Sequence, residues 1–228
     1  GTGKTAAFGL PLIQKIDVTK RIPQALVLCP TRELCLQIAG DLTDYSKYIT
    51  DLKILPVYGG SSIESQIRSL KQGVHIIVAT PGRLIDLMER KVARLETIRD
   101  VVMDEADEML DMGFVEDIEK ILGATNSDKR MLMFSATMPP EILKIAERFM
   151  RSYETVRAES AQLNTELTEQ IYFEVRREDK FEALSRIIDV EQDLYALVFC
   201  RTRNDVDELV EKLKLRGHRV EALHGDIA

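Results

Sequence analysis

Short apolar runs alternate along the chain with longer stretches in which apolar residues recur at helical spacing, and this alternation predicts most of the elements. The runs at 25–29, 53–58, 75–79, 101–103 and 130–134 are apolar at consecutive positions rather than at every second one. Such runs belong to strands buried on both faces, as in a parallel sheet. Helices are expected between them, over 6–16, 31–48, 62–70, 80–90, 115–122 and 139–150. Pro11 falls inside the first helix and is expected to kink it, Pro30 stops the first strand, and Thr31 stands where a hydroxyl caps the second helix. The expected class is α/β, a doubly wound parallel sheet with helices on both faces.

Around 151–167 the pattern breaks. Residues 157–166 are polar and aperiodic, the composition of a linker, although a long surface loop has the same composition. Strands are expected again at 168–175, 194–200 and 220–223, with helices at 180–190 and 204–216. The expected organisation is a first domain over 1–156, a linker over 157–167 and the first part of a second α/β domain over 168–228.

The strand at 101–103 runs directly into Asp104-Glu105-Ala106-Asp107, three carboxylates within four positions at the end of a buried element. The chain opens with Gly1-Thr2-Gly3-Lys4-Thr5, the back end of a phosphate-binding loop. Glycines let the backbone curl so that amide groups face an anion, and the following helix start adds unpaired donors. Lys4 supplies a point charge for the phosphates, and Thr5 a hydroxyl for Mg²⁺. The two motifs are complementary, because nucleotide hydrolysis needs a phosphate grip and metal on one side and a water-activating acid on the other. A parallel sheet places a buried strand before such a loop, so the sequence is expected to be a slice of a longer protein.

Composition narrows the choice of partner. The apolar fraction of 45% indicates a globular chain, and the net charge of −7 excludes a scaffold that coats nucleic acid by bulk attraction. With no Trp, a platform that reads bases by stacking is also disfavoured. Cys29, Cys35 and Cys200 show neither pairing nor metal-ligand spacing, so a reducing, cytoplasmic compartment is expected. No apolar run has transmembrane length.

With these residues placed, the sequence resembles the DEAD-box family of ATP-dependent RNA helicases over essentially its whole length. The family's name is spelled by Asp104-Glu105-Ala106-Asp107. Further signatures follow in order: Gly1-Thr2-Gly3-Lys4-Thr5, Pro30-Thr31-Arg32-Glu33-Leu34, Gly59-Gly60, Thr80-Pro81-Gly82-Arg83, Ser135-Ala136-Thr137, Val198-Phe199-Cys200-Arg201-Thr202 and Leu223-His224-Gly225-Asp226. The resemblance implies two RecA-like domains, with ATP and Mg²⁺ as cofactors and RNA as partner. It assigns phosphate binding to Gly1, Thr2, Gly3, Lys4 and Thr5, Mg²⁺ to Thr5 and Asp104, and water activation to Glu105. Asp107, Ser135 and Thr137 are implied to link hydrolysis to unwinding. RNA contacts are implied for Pro30, Thr31, Arg32, Gly59, Gly60, Thr80, Pro81, Gly82 and Arg83, and in the second domain for Arg201, Thr202 and Gly225. The family's adenine-reading segment would lie upstream of Gly1 and its γ-phosphate arginines beyond Ala228, so hydrolysis by this stretch alone is not expected.

Plainer readings stand beside several of these. Each junction at Thr31, Gly59-Gly60 or Thr80 is by itself an ordinary capped helix start, and Ser135 and Thr137 equally suit a strand-to-helix turn. Arg32 and Arg83 either touch RNA or are oriented by internal carboxylates. Met109, Met112 and Phe114 are expected in core or hinge packing, and His75 and His218 have no expected role. Junctions that present backbone amides read phosphate and 2′-hydroxyl shape, so RNA binding without base specificity is expected. Unwinding short duplexes or remodelling ribonucleoproteins is the expected outcome, with two rivals: an RNA clamp or annealing scaffold with ATPase activity, and a DNA-directed translocase.

Overall fold

Short, mainly apolar runs form five parallel strands in a computed structural model that describes residues 3–150, 152–157, 169–191 and 194–226. The chain divides into two units, Gly1–Val156 and Arg157–Ala228. In the first unit the strands are β1 (Ala25–Leu28), β2 (Ile54–Val57), β3 (Ile76–Ala79), β4 (Asp100–Met103) and β5 (Arg130–Met133), in the order β2-β3-β1-β4-β5. Register aligns their C-terminal ends: Val57 pairs with Ala79, Ala79 with Leu28, Leu28 with Met103, and Met103 with Met133. Every segment that leaves a strand therefore starts from one common edge.

Helices α1 (Lys4–Gln14) and α2 (Arg32–Tyr45) cover one face, where Phe8, Leu12, Ile38 and Leu42 meet Ala25, Val27, Ile76, Val78 and Val102. The opposite face takes Leu26, Leu28, Ile77, Val101 and Met103. Packed on it are α3 (Ile63–Gln72), α4 (Pro81–Glu89), α5 (Ala106–Asp111), α6 (Val115–Ala124) and α7 (Pro140–Phe149). The alternation of the two sets along each strand is the period-2 geometry of the pleat. Because both faces are covered, the strands read as continuous apolar runs.

Helix α1 runs through Pro11, which lies on its exposed side, where water can satisfy the carbonyl that loses its amide partner. Thr31 caps α2 by accepting from the Leu34 amide at 3.2 Å. Three features depart from expectation or were missed. The short α5 follows the acids directly, burying Met109 but leaving Met112 47% exposed. His75 is fully buried, its Nδ1 accepting from the Lys53 amide at 2.9 Å and its Nε2 lying 3.2 Å from the Val18 carbonyl. This residue without an expected role thus ties two loops to the start of β3.

The third departure is in the second unit, which carries α8 (Lys180–Val190), α9 (Arg203–Leu215) and a 3-10 turn at Arg177–Asp179. The strands expected at 168–175, 194–200 and 220–223 are not formed among the described residues, and Ile171, Leu197, Phe199 and Leu223 are exposed. A β-branched and aromatic run states a preference, but a strand exists only where a neighbour supplies ladder partners. The two helices are joined by Arg216, which pairs with Glu182 at 2.6 Å and lies over the Phe181 ring. Most of the expected linker, residues 158–167, lies outside the described residues, as do Gly1 and Thr2.

Candidate active site

The phosphate-loop remnant and the acidic strand end meet at the aligned edge. Gly3 adopts φ 74°, the left-handed region that glycine enters without a Cβ penalty, and its turn launches α1 with no side-chain cap. The first-turn amides of that helix keep their donor capacity and the positive end of its dipole. Asp104 continues β4, the strand beside β1, its amide donating to the Leu28 carbonyl at 2.9 Å. Lys4 Nζ stands 3.9 Å from Asp104 Oδ1. Thr5 is half-buried in the same first turn of α1.

Asp104 is only 3% exposed. Burial pushes its carboxyl above the ordinary value, against the downward pull of the Lys4 ammonium and of the Glu105 amide, which donates to Oδ1 at 3.1 Å. A buried carboxylate with one lysine at the outer limit of ion pairing is undercompensated, and a cation beside it would be favourable. Glu105 then takes φ 51° and ψ 51°, a left-handed backbone that costs a non-glycine residue about 1 kcal/mol or more. That turn separates its side chain from the strand direction and starts α5 with no capping bond from the Glu105 side chain.

Asp107, in the first turn of α5, joins this strand end to the next. Its amide donates to Ser135 Oγ at 3.1 Å, while its Oδ2 accepts from both the amide and the hydroxyl of Thr137 at 2.8 Å. Burial alone raises this carboxyl, but the Thr137 and Ser135 hydroxyls and the Thr137 amide outweigh it and hold it at about 2. The segment after β5 is thereby latched to the one after β4.

Further along the edge, Thr31 and Arg32 follow β1, Gly59 and Gly60 follow β2, and Thr80, Gly82 and Arg83 follow β3. Pro30 and Pro81 are buried, so these two rings shape their turns from inside and offer no surface to a strand of RNA. Gly60, at φ 81°, lies under Arg32: a Cβ built there would sit 3.2 Å from Nη1. The Arg32 guanidinium also stacks on Tyr58, 5.2 Å from the ring centroid. Arg83 donates to the Ser61 carbonyl at 3.2 Å and to Gln66 Oε1 at 3.3 Å. Neutral oxygens, rather than the internal carboxylates weighed from the sequence, therefore hold Arg83.

Gln66 was missed by sequence reading. It is 5% exposed, and its amide nitrogen donates to the Tyr58 carbonyl at 3.1 Å and Ser61 Oγ at 2.7 Å. A signal existed: Ile63, Gln66, Ile67 and Leu70 share one helical stripe, so a polar residue occupies an inward position.

In the second unit, Thr202 closes a reciprocal capping box with Asp205 at the start of α9, both bonds at 3.1 Å. Arg203 pairs with Asp226 at 2.5 Å and so joins the Thr202 turn to the one holding Gly225. Arg201 and Gly225 are exposed. Nothing in these contacts distinguishes the Thr202 hydroxyl from an ordinary cap.

Comparison with known proteins bears on the chain as a whole. The family model described as DEAD/DEAH box helicase matches residues 1–145. A DEAD-box ATP-dependent RNA helicase CshA of Geobacillus kaustophilus is 48% identical over 228 residues, covering 100% of this chain and 49% of the relative. The protein of that name from Streptococcus pneumoniae is 49% identical over 227 residues, with 100% of this chain and 43% of the relative covered. The chain thus spans about half the length of these relatives. Among solved structures, a DEAD box protein from Methanococcus jannaschii superposes with a TM-score of 0.67 at 43% identity, covering 100% of this chain and 61% of that one. A hypothetical ATP-dependent RNA helicase from Sulfolobus tokodaii gives 0.62 at 37% identity, covering 93% and 60%. A match over residues 1–145, which carry the whole aligned edge, together with relatives of this similarity makes the chain a member of the DEAD/DEAH box helicase family.

Proposed function

We propose that this chain is the nucleotide-binding part of a cytoplasmic ATP-dependent RNA helicase, which grips RNA by its backbone without reading bases and couples ATP hydrolysis to opening short duplexes or remodelling RNA–protein assemblies. The observation that carries the reading is the 3.9 Å approach of Lys4 to Asp104, because it brings a phosphate-loop lysine and an acidic strand tip within reach of one triphosphate. Residues 1–5 take the phosphates, with Lys4 as the point charge and the first amides of α1 as donors.

The donor set fits Mg²⁺. Asp104 is a buried, undercompensated carboxylate, and Thr5 adds a hydroxyl from the facing helix start. Among the described residues no cluster of three or more His, Cys, Asp or Glu side chains could hold a metal unaided. Mg²⁺ commonly shares one or two protein oxygens with substrate phosphates, which matches so sparse a set. When bound, the ion supplies charge neutralisation for the phosphates and keeps Asp104 ionised. Glu105, turned off the strand by its left-handed backbone, takes the proton of the attacking water. Asp107, fixed to Ser135 and Thr137, passes the state of this site to the neighbouring turn.

Arg32 and Arg83 carry the RNA reading. Each is held by a ring or by neutral oxygens, and among the described residues neither faces a carboxylate within ion-pair distance, so their charge stays available to phosphates. Glu105→Gln in the protein carrying this chain tests the assignment. ATP and RNA affinities are expected to stay within about twofold while turnover falls at least ~100-fold, the usual contribution of a general base. Turnover near that of the parent would remove Glu105 as the base.

A further inference from the structure

A buried amide side chain with every hydrogen-bonding atom satisfied by functional neighbours is an uncommon use of an inward helical position. Gln66 is such a side chain. Its nitrogen holds the backbone at Tyr58 and the hydroxyl of Ser61, the two residues that bracket Gly59 and Gly60. Its oxygen holds Arg83 Nη1. Ser61 completes the ring, its hydroxyl donating to the Tyr58 carbonyl at 3.3 Å and its own carbonyl accepting from Arg83. The orientation of the amide is dictated by its partners, since a flipped group would turn its NH₂ towards a guanidinium and its oxygen towards a carbonyl.

This arrangement has an electrostatic consequence. Arginine orients strongly when it meets a carboxylate, but the pair is then neutral and has little left for an incoming phosphate. Held by an amide and a peptide oxygen, Arg83 is oriented and keeps its full charge. Glu64, the carboxylate that feels Arg83 at longer range, is engaged by the Ser62 hydroxyl at 2.9 Å. The same loop also fixes Arg32, through the Tyr58 ring beneath it and the missing Cβ of Gly60 beside it.

We infer that Gln66 is a positioning residue for RNA: it locks the Gly59-Gly60 turn and the Arg83 guanidinium into one arrangement while leaving the cation's charge free for a backbone phosphate. The inference rests on the RNA reading of this edge given above, and its test keeps the two apart. Gln66→Met preserves volume but holds neither partner, whereas Gln66→Glu can still accept from Arg83 yet neutralises it and cannot donate to Tyr58 or Ser61. Both are compared with the parent and with Arg83→Ala, in the protein carrying this chain, by measuring binding of a labelled single-stranded oligouridine against salt in the presence of a non-hydrolysable ATP analogue.

The expected result is a roughly tenfold loss of RNA affinity in both Gln66 variants, with the slope of log K against log salt shallower by ~0.7, the share of one phosphate contact on a single strand. Gln66→Glu loses this affinity although a carboxylate against Arg83 protects the melting temperature, a combination that a purely structural residue would not give. In an Arg83→Ala background, Gln66→Glu is expected to add less than about threefold, since the charge it neutralises is gone. The inference is overturned if Arg83→Ala weakens RNA binding but the Gln66 variants keep the parental slope, or if their affinity falls only in step with stability. If Arg83→Ala itself binds as the parent does, the RNA reading of this edge fails first.

Discussion

Asp104 and Asp107 lie three positions apart and are treated in opposite ways by their surroundings. Asp104 is desolvated with little compensation and is raised, while Asp107 accepts two bonds from Thr137 and is held at about 2. The first is left undercompensated, as the proposed Mg²⁺ role requires; the second is a stable anion used as a latch. Thr137→Val tests the latch, because it removes the hydroxyl bond and leaves the amide bond. A carboxyl whose folded value is depressed stabilises the fold above its unfolded value of ~3.9, and that contribution is lost as pH falls through about 2. The variant is therefore expected to be about 1 kcal/mol less stable at neutral pH, with the gap closing between pH 4 and about 2. Titration of the Asp107 carboxyl by NMR should show its midpoint moving upward. An unmoved midpoint would mean that the Thr137 amide and Ser135 set it and that the Thr137 hydroxyl is not part of the latch.

Element placement depends on a few positions at which the backbone leaves no choice. Gly73 ends α3 at φ 91° and ψ 128°, and a Cβ there would lie 2.7 Å from the Arg21 carbonyl oxygen. That contact cannot relax by a side-chain rotation, since the backbone itself is the obstacle. Gly73→Ala is expected to cost about 2–4 kcal/mol and lower Tm by roughly 5–15 °C; a shift under about 1 °C in thermal unfolding would show that this loop moves aside freely. Sequence reading located the elements of the first unit well, because a strand covered on both faces leaves a continuous apolar run and Thr31 and Ser62 mark helix starts by type. It also singled out the phosphate and acid motifs, which are local in the chain and whose Lys4 and Asp104 stand 3.9 Å apart. Gln66 escaped because a lone glutamine on a helix looks solvated until the stripe of Ile63, Ile67 and Leu70 is drawn through it. The strands of the second unit were over-read for the converse reason: Leu197 and Phe199 carry strand preference, and pairing is a property of two segments that no single run encodes.

At the scale of the whole chain, its formal net charge of −7 opposes a polyanion, so on the proposed reading its affinity for RNA comes from a few individually held cations. That makes salt dependence a direct count of contacts. Each phosphate neutralised on a single strand contributes a slope of about −0.7 in log K against log salt, and amides at helix starts release no counterions of their own. Arg32 and Arg83 in the first unit give an expected slope of roughly −1.4, and engagement of Arg201 in the second unit steepens it to roughly −2. Binding isotherms of the protein carrying this chain on a single-stranded oligouridine, taken from ~50 to 300 mM salt, measure that slope, and Arg201→Ala should return it to the shallower value. A slope of about −5 or steeper, unchanged by these substitutions, would place the RNA on a broader cationic surface and detach it from the edge where Lys4 meets Asp104. A shallow slope that loses one step with each arginine would instead mean that RNA is held through a small set of individual charges, with Arg32 set by a ring and a glycine turn and Arg83 by an amide and a peptide oxygen.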